Sequence, residues 1–403
     1  MKYYSTGGEA PKVSFRRALL NGLAPDGGLY MPEDLPAREI DGLSFPERAA
    51  QALAGFVPSR GLLKICHSAF DFQVPLRELS NNLFVLELFH GPTLSFKDFG
   101  ARFMARQMSV ALKQGQRLNI IVATSGDTGS AVASGFYGVP GVNVFVLYPK
   151  GRVTELQERQ MTTLGGNIHA LEIRGDFDDC QRVAKELLGD VRLRGELSLS
   201  SANSINIGRL LPQMSYYFEA AEKLRWKYGR SEKPIIVVPS GNFGNLTAGF
   251  FAKKIGLPSE LMVAAVNVNS GIPGYLATKS LVVSKTVPTL SNAMDVGNPS
   301  NWGRIVDHFG GDPAKIANSL KAIAVTDRET EATIFSIHEK YGYFVDPHTA
   351  VGLRAAEEIA KRGFSRTPIV VLSTAHPAKF RETVERVTRR TLEIPDRLAA
   401  VLG

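Results

Sequence analysis

The stretch LNIIVATSGDTGSAVASGFYG, residues 118–138, runs from a short apolar segment through a turn rich in glycine, serine and threonine into a segment of helix length. Two later stretches have the same form: PIIVVPSGNFGNLTAGFFAKKIG at 234–256 and TPIVVLSTAHPAKFRETVERVT at 367–388. Continuous apolar strands that alternate with helices are typical of parallel sheets covered by helices on both faces. The pattern therefore predicts an α/β fold built on parallel sheets.

The order of these units predicts three parts of the chain. Residues 1–80 include the turn-rich GLAPDGGLYMPEDLP and have no matching series of strands, so we expect an accessory segment packed on the α/β body. Residues 81–205 and 206–403 are predicted to form a smaller and a larger α/β domain. The boundary is placed at NIGRLLPQMSYYFEAAEKLRWKYG, residues 206–229, which has the pattern of one long amphipathic helix.

The composition is that of a folded protein without a nucleic-acid interface. The 403 residues are 44% hydrophobic and 21% charged, and the formal net charge is +8. No basic run alternates with aromatic residues. The positive charge is therefore expected to attract small anionic substrates rather than nucleic acid.

Several features predict a cytoplasmic protein. The N-terminal stretch lacks the apolar core and cleavage site of a secretory signal, and no apolar run is long enough to cross a membrane. The two cysteines, Cys66 and Cys180, have neither the density of a disulfide framework nor the spacing of metal ligands. We therefore expect a reducing compartment, no membrane partner and no metal site, and the oligomeric state is left open.

Two glycine-rich turns are candidates for binding anions. PSGNFGN, residues 239–245, and TSGDTGS, residues 124–130, each follow a predicted strand and precede a predicted helix. Backbone N–H groups at a helix N-terminus can hold a phosphate, although such turns also occur as simple connections. Neither G-x-G-x-x-G nor G-x-x-x-x-G-K-[ST] is found in the chain, which argues against a dinucleotide site and against nucleotide hydrolysis.

A lysine in an unusual setting lies in FHGPTLSFKDFG, residues 89–100, where Lys97 stands between Phe96 and Phe99. Burial lowers the pKa of an amine and makes it nucleophilic, as Schiff-base formation requires, whereas many lysines beside aromatic residues simply extend along the surface. A shielded lysine and a phosphate cradle are the two features that pyridoxal phosphate requires. Thr374, at the end of the last predicted strand, is placed to offer a hydroxyl to the pyridine nitrogen.

Longer stretches resemble a known family. LELFHGPTLSFKDFG, ATSGDTGSAVA, NSINIGRLLPQMSYYFEA, VPSGNFGNLTAG, LSNAMDVGNPSNWGR and STAHPAKF are similar to blocks of the threonine synthases, which are fold type II pyridoxal-phosphate enzymes of the tryptophan synthase β-like group. The resemblance implies two parallel-sheet α/β domains with an N-terminal accessory segment. It also implies a reaction in which O-phospho-L-homoserine loses phosphate and gains water to give L-threonine. One departure is YSTGG, with Gly7 where many members have arginine.

The resemblance also implies a role for each matching residue. Lys97 would bind the cofactor as a Schiff base and, shielded by Phe96 and Phe99, would later move protons. Thr374 would meet the ring nitrogen, and the cofactor phosphate would be surrounded by Gly241, Asn242, Phe243 and Asn245. The substrate carboxylate, near the cofactor's phenolic oxygen, would be held by Ser125, Gly126, Asp127 and Thr128. The substrate phosphate would be held by Lys150, Asn203, Ser204, Asn206 and Arg209.

Three other interpretations stay open at this point. A serine or threonine dehydratase or an O-acyl-serine sulfhydrylase shares the fold, but those substrates lack the phosphate for which Arg209 would be needed. A catalytically silent relative acting as a binding or regulatory protein would be expected to have lost Lys97, the glycine loop or the Thr374 hydroxyl, and the chain keeps all three. An oxidoreductase is disfavoured because the dinucleotide motif is missing.

Overall fold

The computed structural model describes residues 1–229, 232–283 and 285–401. These residues form three sheets, of three, six and four strands. All pairings in the four-stranded sheet are parallel, and so are all but one of those in the six-stranded sheet. The predicted α/β fold is confirmed. Within the described residues, no helix is long and apolar enough to span a membrane.

The elements are labelled in chain order. The strands are β1 Lys2–Ser5, β2 Val13–Ser14, β3 Tyr30–Pro32, β4 Leu76–Ser80, β5 Leu83–Glu87, β6 Leu118–Ala123, β7 Val142–Pro149, β8 Ile168–Ile173, β9 Leu199–Ser201, β10 Ile235–Pro239, β11 Leu261–Asn267, β12 Leu320–Val325 and β13 Ile369–Ser373. The helices are α1 Phe15–Asn21, α2 Phe45–Leu53, α3 Leu62–Ala69, α4 Lys97–Ala111, α5 Asp127–Phe136, α6 Glu155–Thr162, α7 Phe177–Gly189, α8 Val191–Glu196, α9 Ile207–Leu210, α10 Met214–Tyr228, α11 Gly244–Lys254, α12 Ile272–Thr278, α13 Trp302–His308, α14 Pro313–Ser319, α15 Asp327–Tyr341, α16 Pro347–Ile359, α17 Arg381–Thr388 and α18 Asp396–Ala399. Short 3-10 turns lie at Leu211–Gln213, Asn292–Met294 and Pro377–Phe380, and a π-helical turn lies at Ala360–Phe364.

The N-terminal residues form a small antiparallel sheet, in the order β2-β1-β3, with helices α1 to α3 beside it. Buried Arg48 of α2 donates to Glu219 of α10 at 2.9 Å, which fixes this part to the α/β body. Gly7 packs against Asp26, and a Cβ at position 7 would lie 2.7 Å from that carboxyl group. The departure at Gly7 is therefore a matter of packing in the N-terminal part.

The helix starts fall into two kinds. Several helices begin with a capping box, in which a side chain satisfies the first amides, and their N-caps are Ser44, Thr154, Asp176 and Thr326. Helices α5 and α11 have Gly126 and Phe243 at the N-cap and no side-chain cap. In α5 the Gly129 amide donates to Thr124 Oγ1 at 2.8 Å, and the other first amides of the two helices have no acceptor within their helix and can face a ligand.

The six-stranded sheet has the order β12-β11-β10-β13-β5-β4, with only β4 antiparallel. Strand β5 pairs with β13, in the register Leu83 to Ile369. The prediction had placed residues 81–205 in the smaller domain, but the structure puts β5 in the larger sheet. A strand pattern specifies a strand and not its partner, and here the partner lies almost 300 residues further along the chain. The division into three units stays a prediction.

The helix predicted over residues 206–229 is broken. It consists of α9, a 3-10 turn at Leu211–Gln213, and α10. Pro212 cannot donate a backbone hydrogen bond, so a continuous helix is interrupted there. The break lets α9 pack against α4 while α10 packs against α2 and α11.

The strands that point at the site are deeply buried. Every residue of β10 and of β13 is buried. The four-stranded sheet, in the order β8-β7-β6-β9, buries β6 in the same way except at Asn119. The carboxyl ends of β6, β10 and β13 meet the N-termini of α4, α5 and α11 in one crevice, which is where open α/β sheets bind ligands.

Candidate active site

The crevice between the two larger sheets is lined by residues from both. It brings together most of the side chains and glycines singled out in the sequence. Those predicted residues are Lys97, Ser125, Asp127, Thr128, Asn203, Ser204, Arg209, Gly241, Asn242, Phe243, Asn245 and Thr374. The roles of the individual residues stay predictions.

Lys97 is the first residue of α4, and its side chain is only 14% exposed. Its Nζ lies 5.3 Å from the centre of the Phe96 ring. Burial lowers the pKa of Lys97 to about 8, against an opposing attraction from Asp127. At neutral pH an appreciable fraction of this amine is therefore unprotonated, as a nucleophile requires.

Phe99 does not shield Lys97 as the sequence predicted. Its ring packs edge-on against Phe45, Phe72 and Tyr216 in the core. Residues two apart on a helix do not share a face. Because Lys97 opens the helix toward the crevice, Phe99 points away from it, and of the two phenylalanines only Phe96 has its ring near the lysine amine.

Asp127, at the start of α5, is paired with two lysines. Its Oδ1 lies 2.8 Å from Lys379 Nζ and accepts a 2.8 Å hydrogen bond from Gln157, and its Oδ2 lies 3.9 Å from Lys97 Nζ. Burial alone would raise the pKa of Asp127, but the two ammonium groups hold it well below its usual range. A carboxylate in this state cannot bind a substrate carboxylate with its own side chain. The amides of Asp127 and Thr128, which open α5, remain available for that purpose.

The loop at 239–245 has the geometry of an anion cradle. At Gly241 a Cβ would lie 2.8 Å from the Ala293 carbonyl oxygen and from Met294 Cα, so a side chain has no room. Phe243 adopts a left-handed conformation with φ +61°, which turns the chain into α11. Asn242 accepts a hydrogen bond from the Ser300 amide at 3.2 Å, which fixes the loop from outside.

Asn245 carries a buried donor that has no partner. Its Oδ1 accepts hydrogen bonds of 2.7 Å from both Tyr216 and Tyr217. Its Nδ2 is buried and unpaired among the described residues, and Asn245 lines the crevice. A buried unpaired donor is costly unless a ligand accepts from it.

Thr374 follows β13 and lies beside Lys97. The Phe96 amide donates a 2.8 Å hydrogen bond to the Thr374 carbonyl oxygen. Thr374 also lines the crevice. The last strand of the larger sheet and the start of α4 are thus held together.

Arg209 is a buried guanidinium group on the other side of the crevice. Its Nη1 donates to the Ala202 carbonyl oxygen at 2.5 Å, and its Nε has no partner among the described residues. Burial lowers its pKa to about 10, opposed by Asp98. No carboxylate within the described ranges forms an ion pair with it. Helix α9, which carries Arg209, can approach α4 closely because residue 100 is glycine. A Cβ at that position would lie 2.7 Å from the Arg209 carbonyl oxygen.

Asn203 and Ser204 line the crevice beside Arg209. Asn203 Nδ2 donates to the Ala123 carbonyl oxygen at 2.7 Å, which ties the residue to the end of β6. Ser204 Oγ accepts from Asn301 at 3.1 Å, so its own hydrogen can point elsewhere.

Three predicted residues do not line the crevice. Lys150 is exposed and pairs with Glu172 at 2.8 Å at the end of β7. Asn206 is fully buried, where it caps α9 and donates to the Ser201 carbonyl oxygen at 2.9 Å. Gly126 has φ +134°, a conformation that suits glycine, and shapes the turn. The sequence showed their residue types but not which way each one faces.

Two polar residues at the site, a lysine and a histidine, were missed. Lys379 lies two residues beyond Pro377, and a lone lysine after such a turn gives no sign of burial. His348 lines the crevice, with Nδ1 2.6 Å from Asp346 Oδ2 and Nε2 accepting from the Ala293 amide at 3.2 Å. The Nδ1 proton is therefore donated to Asp346. The only signal in the sequence was DPHT, where helix α16 begins after the Asp346 cap.

These residues fit pyridoxal phosphate. A lysine of lowered pKa, a glycine loop with free helix amides and an unpaired amide donor, and a nearby hydroxyl provide the attachment, the phosphate site and the ring contact that this cofactor needs. A sequence family described as pyridoxal-phosphate dependent enzyme matches residues 71–375. Fold and site together define a pyridoxal-phosphate-dependent enzyme of fold type II.

The relatives narrow this class to one family. Families described as Threonine synthase N terminus and Threonine synthase, C-terminal match residues 2–70 and 349–403. The threonine synthases of Haemophilus influenzae and Escherichia coli are 43% and 44% identical, over 99% of this chain and 94% of each relative. An X-ray structure of pyridoxal-phosphate-bound threonine synthase from Brucella melitensis has a TM-score of 0.92 at 38% identity, and the match covers 100% of this chain and 94% of that one. The chain belongs to the threonine synthase family, whose enzymes make threonine.

Proposed function

We propose that the enzyme converts O-phospho-L-homoserine and water into L-threonine and inorganic phosphate. The observation that carries the proposal is the presence of two separate anion positions around one reactive lysine. One is the loop at 239–245 with Asn245, whose Nδ2 has no partner among the described residues, and the other is Arg209, a buried cation that pairs with none of the carboxylates that the structure describes. A phosphorylated cofactor and a phosphorylated substrate need two such positions.

The cofactor is assigned to the first position. Lys97 would attach it, and Thr374 would offer its hydroxyl to the ring nitrogen. Gly241, Asn242, Phe243 and Asn245 would surround its phosphate. When bound, pyridoxal phosphate stabilises negative charge that develops on the carbon atoms of an amino-acid substrate.

The substrate is assigned to the space between Lys97 and Arg209. Its carboxylate would meet Ser125 and Thr128 and the free amides that open α5. Its phosphate would meet Arg209, with Asn203 and Ser204 beside it. The planar guanidinium group matches a phosphate dianion, and its unpaired Nε can donate to it.

Lys97 is also suited to moving protons. Conversion of the substrate requires protons to leave and return at neighbouring carbon atoms, and a base with a pKa near the working pH does this best. Burial lowers the pKa of Lys97 to about 8. Asp127 keeps the amine in place by attraction, with Oδ2 at 3.9 Å.

The proposal is tested by comparing the products that the enzyme releases from different substrates. Purified enzyme with pyridoxal phosphate is expected to release phosphate and L-threonine from O-phospho-L-homoserine in equal amounts. L-Serine, L-threonine and O-acetyl-L-serine are the comparison substrates, and only slow turnover is expected with them. Ammonia release from serine or threonine that exceeds phosphate release would overturn the proposal in favour of a dehydratase.

We also propose a cytoplasmic location. Cys66 and Cys180 are both buried and unpaired, which suits a reducing compartment. Fractionation of cells that produce the full chain tests this, and recovery of the enzyme with secreted or membrane fractions would contradict it.

A further inference from the structure

Lys379 is a buried lysine to which the proposed reaction gives no part. Its side chain is fully buried, with 0% exposed, and it does not line the crevice. Its Nζ lies 2.8 Å from Asp127 Oδ1 and donates a 2.9 Å hydrogen bond to the Thr93 carbonyl oxygen. Its positive charge also acts to lower the pKa values of Asp98 and His376. Its side-chain contact with the site is made through Asp127.

Asp127 therefore has two cations where one would neutralise it. Lys97 approaches Oδ2 at 3.9 Å, and Gln157 donates to Oδ1 at 2.8 Å. Burying an ammonium group is costly unless it is paired. The closer and more deeply buried partner of Asp127 is not the reactive lysine but Lys379.

We propose that Lys379 is a positioning residue that keeps the Asp127 carboxylate ionised and fixed beside Lys97, whichever charge Lys97 carries. The inference rests on the function proposed above. When Lys97 is neutral, Asp127 and Lys379 still form a complete ion pair. Without Lys379, a neutral Lys97 would leave a buried unpaired carboxylate, so Asp127 would hold the proton on Lys97.

The groups around Lys97 act in opposite directions. Burial lowers its pKa, Asp127 and Asp346 raise it, and Lys379 and Arg209 lower it. Removing Lys379 alone leaves the attraction of Asp127 uncompensated. Removing Asp127 and Lys379 together removes two opposing effects. The pKa of Lys97 is therefore expected to change much more when Lys379 alone is removed than when Asp127 and Lys379 are removed together.

The test is the pH dependence of cofactor uptake by the full chain after its cofactor has been removed with hydroxylamine. Condensation of the neutral Lys97 amine with the aldehyde of pyridoxal phosphate releases water, so the rate, followed by absorbance, reports the neutral fraction of Lys97. In Lys379→Met the pH at which the uptake rate reaches half its maximum, called the midpoint, is expected at least about one pH unit above that of the wild type. In the double variant Asp127→Asn, Lys379→Met it is expected to return close to the wild type. Lys12→Met removes an exposed lysine that pairs with Glu33 at 2.6 Å, and it is expected to leave the midpoint unchanged.

A folded Lys379→Met chain with an unchanged or lower midpoint overturns the proposal, because a merely structural role would lower the melting temperature without moving the midpoint. If Lys379→Met does not fold, the comparison is between Asp127→Asn and the double variant. Asp127→Asn is expected at least about one unit below the double variant, and equal midpoints overturn the proposal.

Borohydride reduction followed by peptide mass spectrometry separates this inference from the function on which it rests. A cofactor adduct on a lysine other than Lys97 overturns the site assignment and the inference with it. An adduct on Lys97 with an unmoved midpoint overturns the inference alone.

Discussion

The loops at 124–130 and 239–245 share one pattern, Ser-Gly followed by Asp or Asn, a variable residue and Gly, and each connects a buried strand to a helix. They differ at the third residue of the pattern. Asp127 carries a charge that two lysines balance, whereas Asn242 is neutral and accepts from the Ser300 amide. Helix α5 begins at that third residue, whereas α11 begins two residues later in its loop, after the left-handed turn at Phe243.

The difference shows how one local motif supports two kinds of anion chemistry. The neutral loop offers free amides and the Asn245 side chain, and it can hold a phosphate whose charge does not change during a reaction. The charged loop already contains a carboxylate, so it acts on the neighbouring amine and leaves anion binding to its backbone. A strand-turn-helix motif therefore predicts where a ligand binds but not what the loop does.

The largest effect is expected at the residue between the two loops. Lys97→Ala removes both the attachment point and the proton carrier, so turnover is expected to fall by about a thousandfold or more. No cofactor adduct should be found after borohydride reduction and mass spectrometry, and the thermal unfolding profile should remain cooperative. Lys361→Ala, at an exposed lysine, is the control. An adduct on another lysine would contradict the assignment.

Arg209→Leu tests whether the substrate phosphate is bound away from the loop at 239–245. Losing a charge-assisted contact in a desolvated site costs about 2–5 kcal/mol, which is about a thirtyfold to several-thousandfold loss in kcat/KM on O-phospho-L-homoserine. The cofactor absorbance should be unchanged, because its phosphate uses the other loop. Inorganic phosphate should inhibit the wild type more than the variant. Near-normal kcat/KM would place the substrate phosphate elsewhere.

Thr374→Val tests only how the cofactor is bound, apart from the substrate. The valine keeps the shape and the backbone contact with Phe96, but it leaves the ring nitrogen without a donor. An unmet buried acceptor costs about 1–3 kcal/mol, so cofactor affinity measured by dialysis should fall by about fivefold to a hundredfold. Thr374→Ser keeps the hydroxyl and should bind nearly as well as the wild type. Equal affinity in the valine variant would remove Thr374 from the site.

The smallest expected effect is a difference in pH dependence between cofactor attachment at Lys97 and ligand binding at the loop at 239–245. The pKa of Lys97 is lowered to about 8, so its neutral fraction grows as the pH rises through that value, and the uptake rate of pyridoxal phosphate should increase about tenfold between about pH 7 and pH 9. Pyridoxine phosphate has no aldehyde and reports the loop at 239–245 alone. Because that loop has no titratable side chain, its affinity should stay flat over the same range. A parallel rise for both ligands would remove Lys97 as the cause.

Much of the site could be predicted because it lies in short, contiguous motifs. Lys97, the loop at 239–245 and Thr374 each follow or precede an apolar strand, and the carboxyl ends of parallel strands gather at one edge. Lys150 and Asn206, which were predicted for the substrate-phosphate site, do not line the crevice, for the opposite reason. Each lies near a motif, but its direction depends on a partner elsewhere, Glu172 for one and the Ser201 carbonyl oxygen for the other.

The sequence by itself determined the α/β class and predicted two glycine-rich loops and a shielded lysine as parts of the site, because periodicity, glycine and the residues beside them act over a few positions. Only the tertiary structure decided that β5 pairs with β13, that Phe99 faces the core, and that Lys379 reaches Asp127. These contacts join residues about 120 to 290 positions apart, where no local pattern encodes the partner. Burial of a charge depends on every element packed around it, so it becomes visible only when the chain is folded.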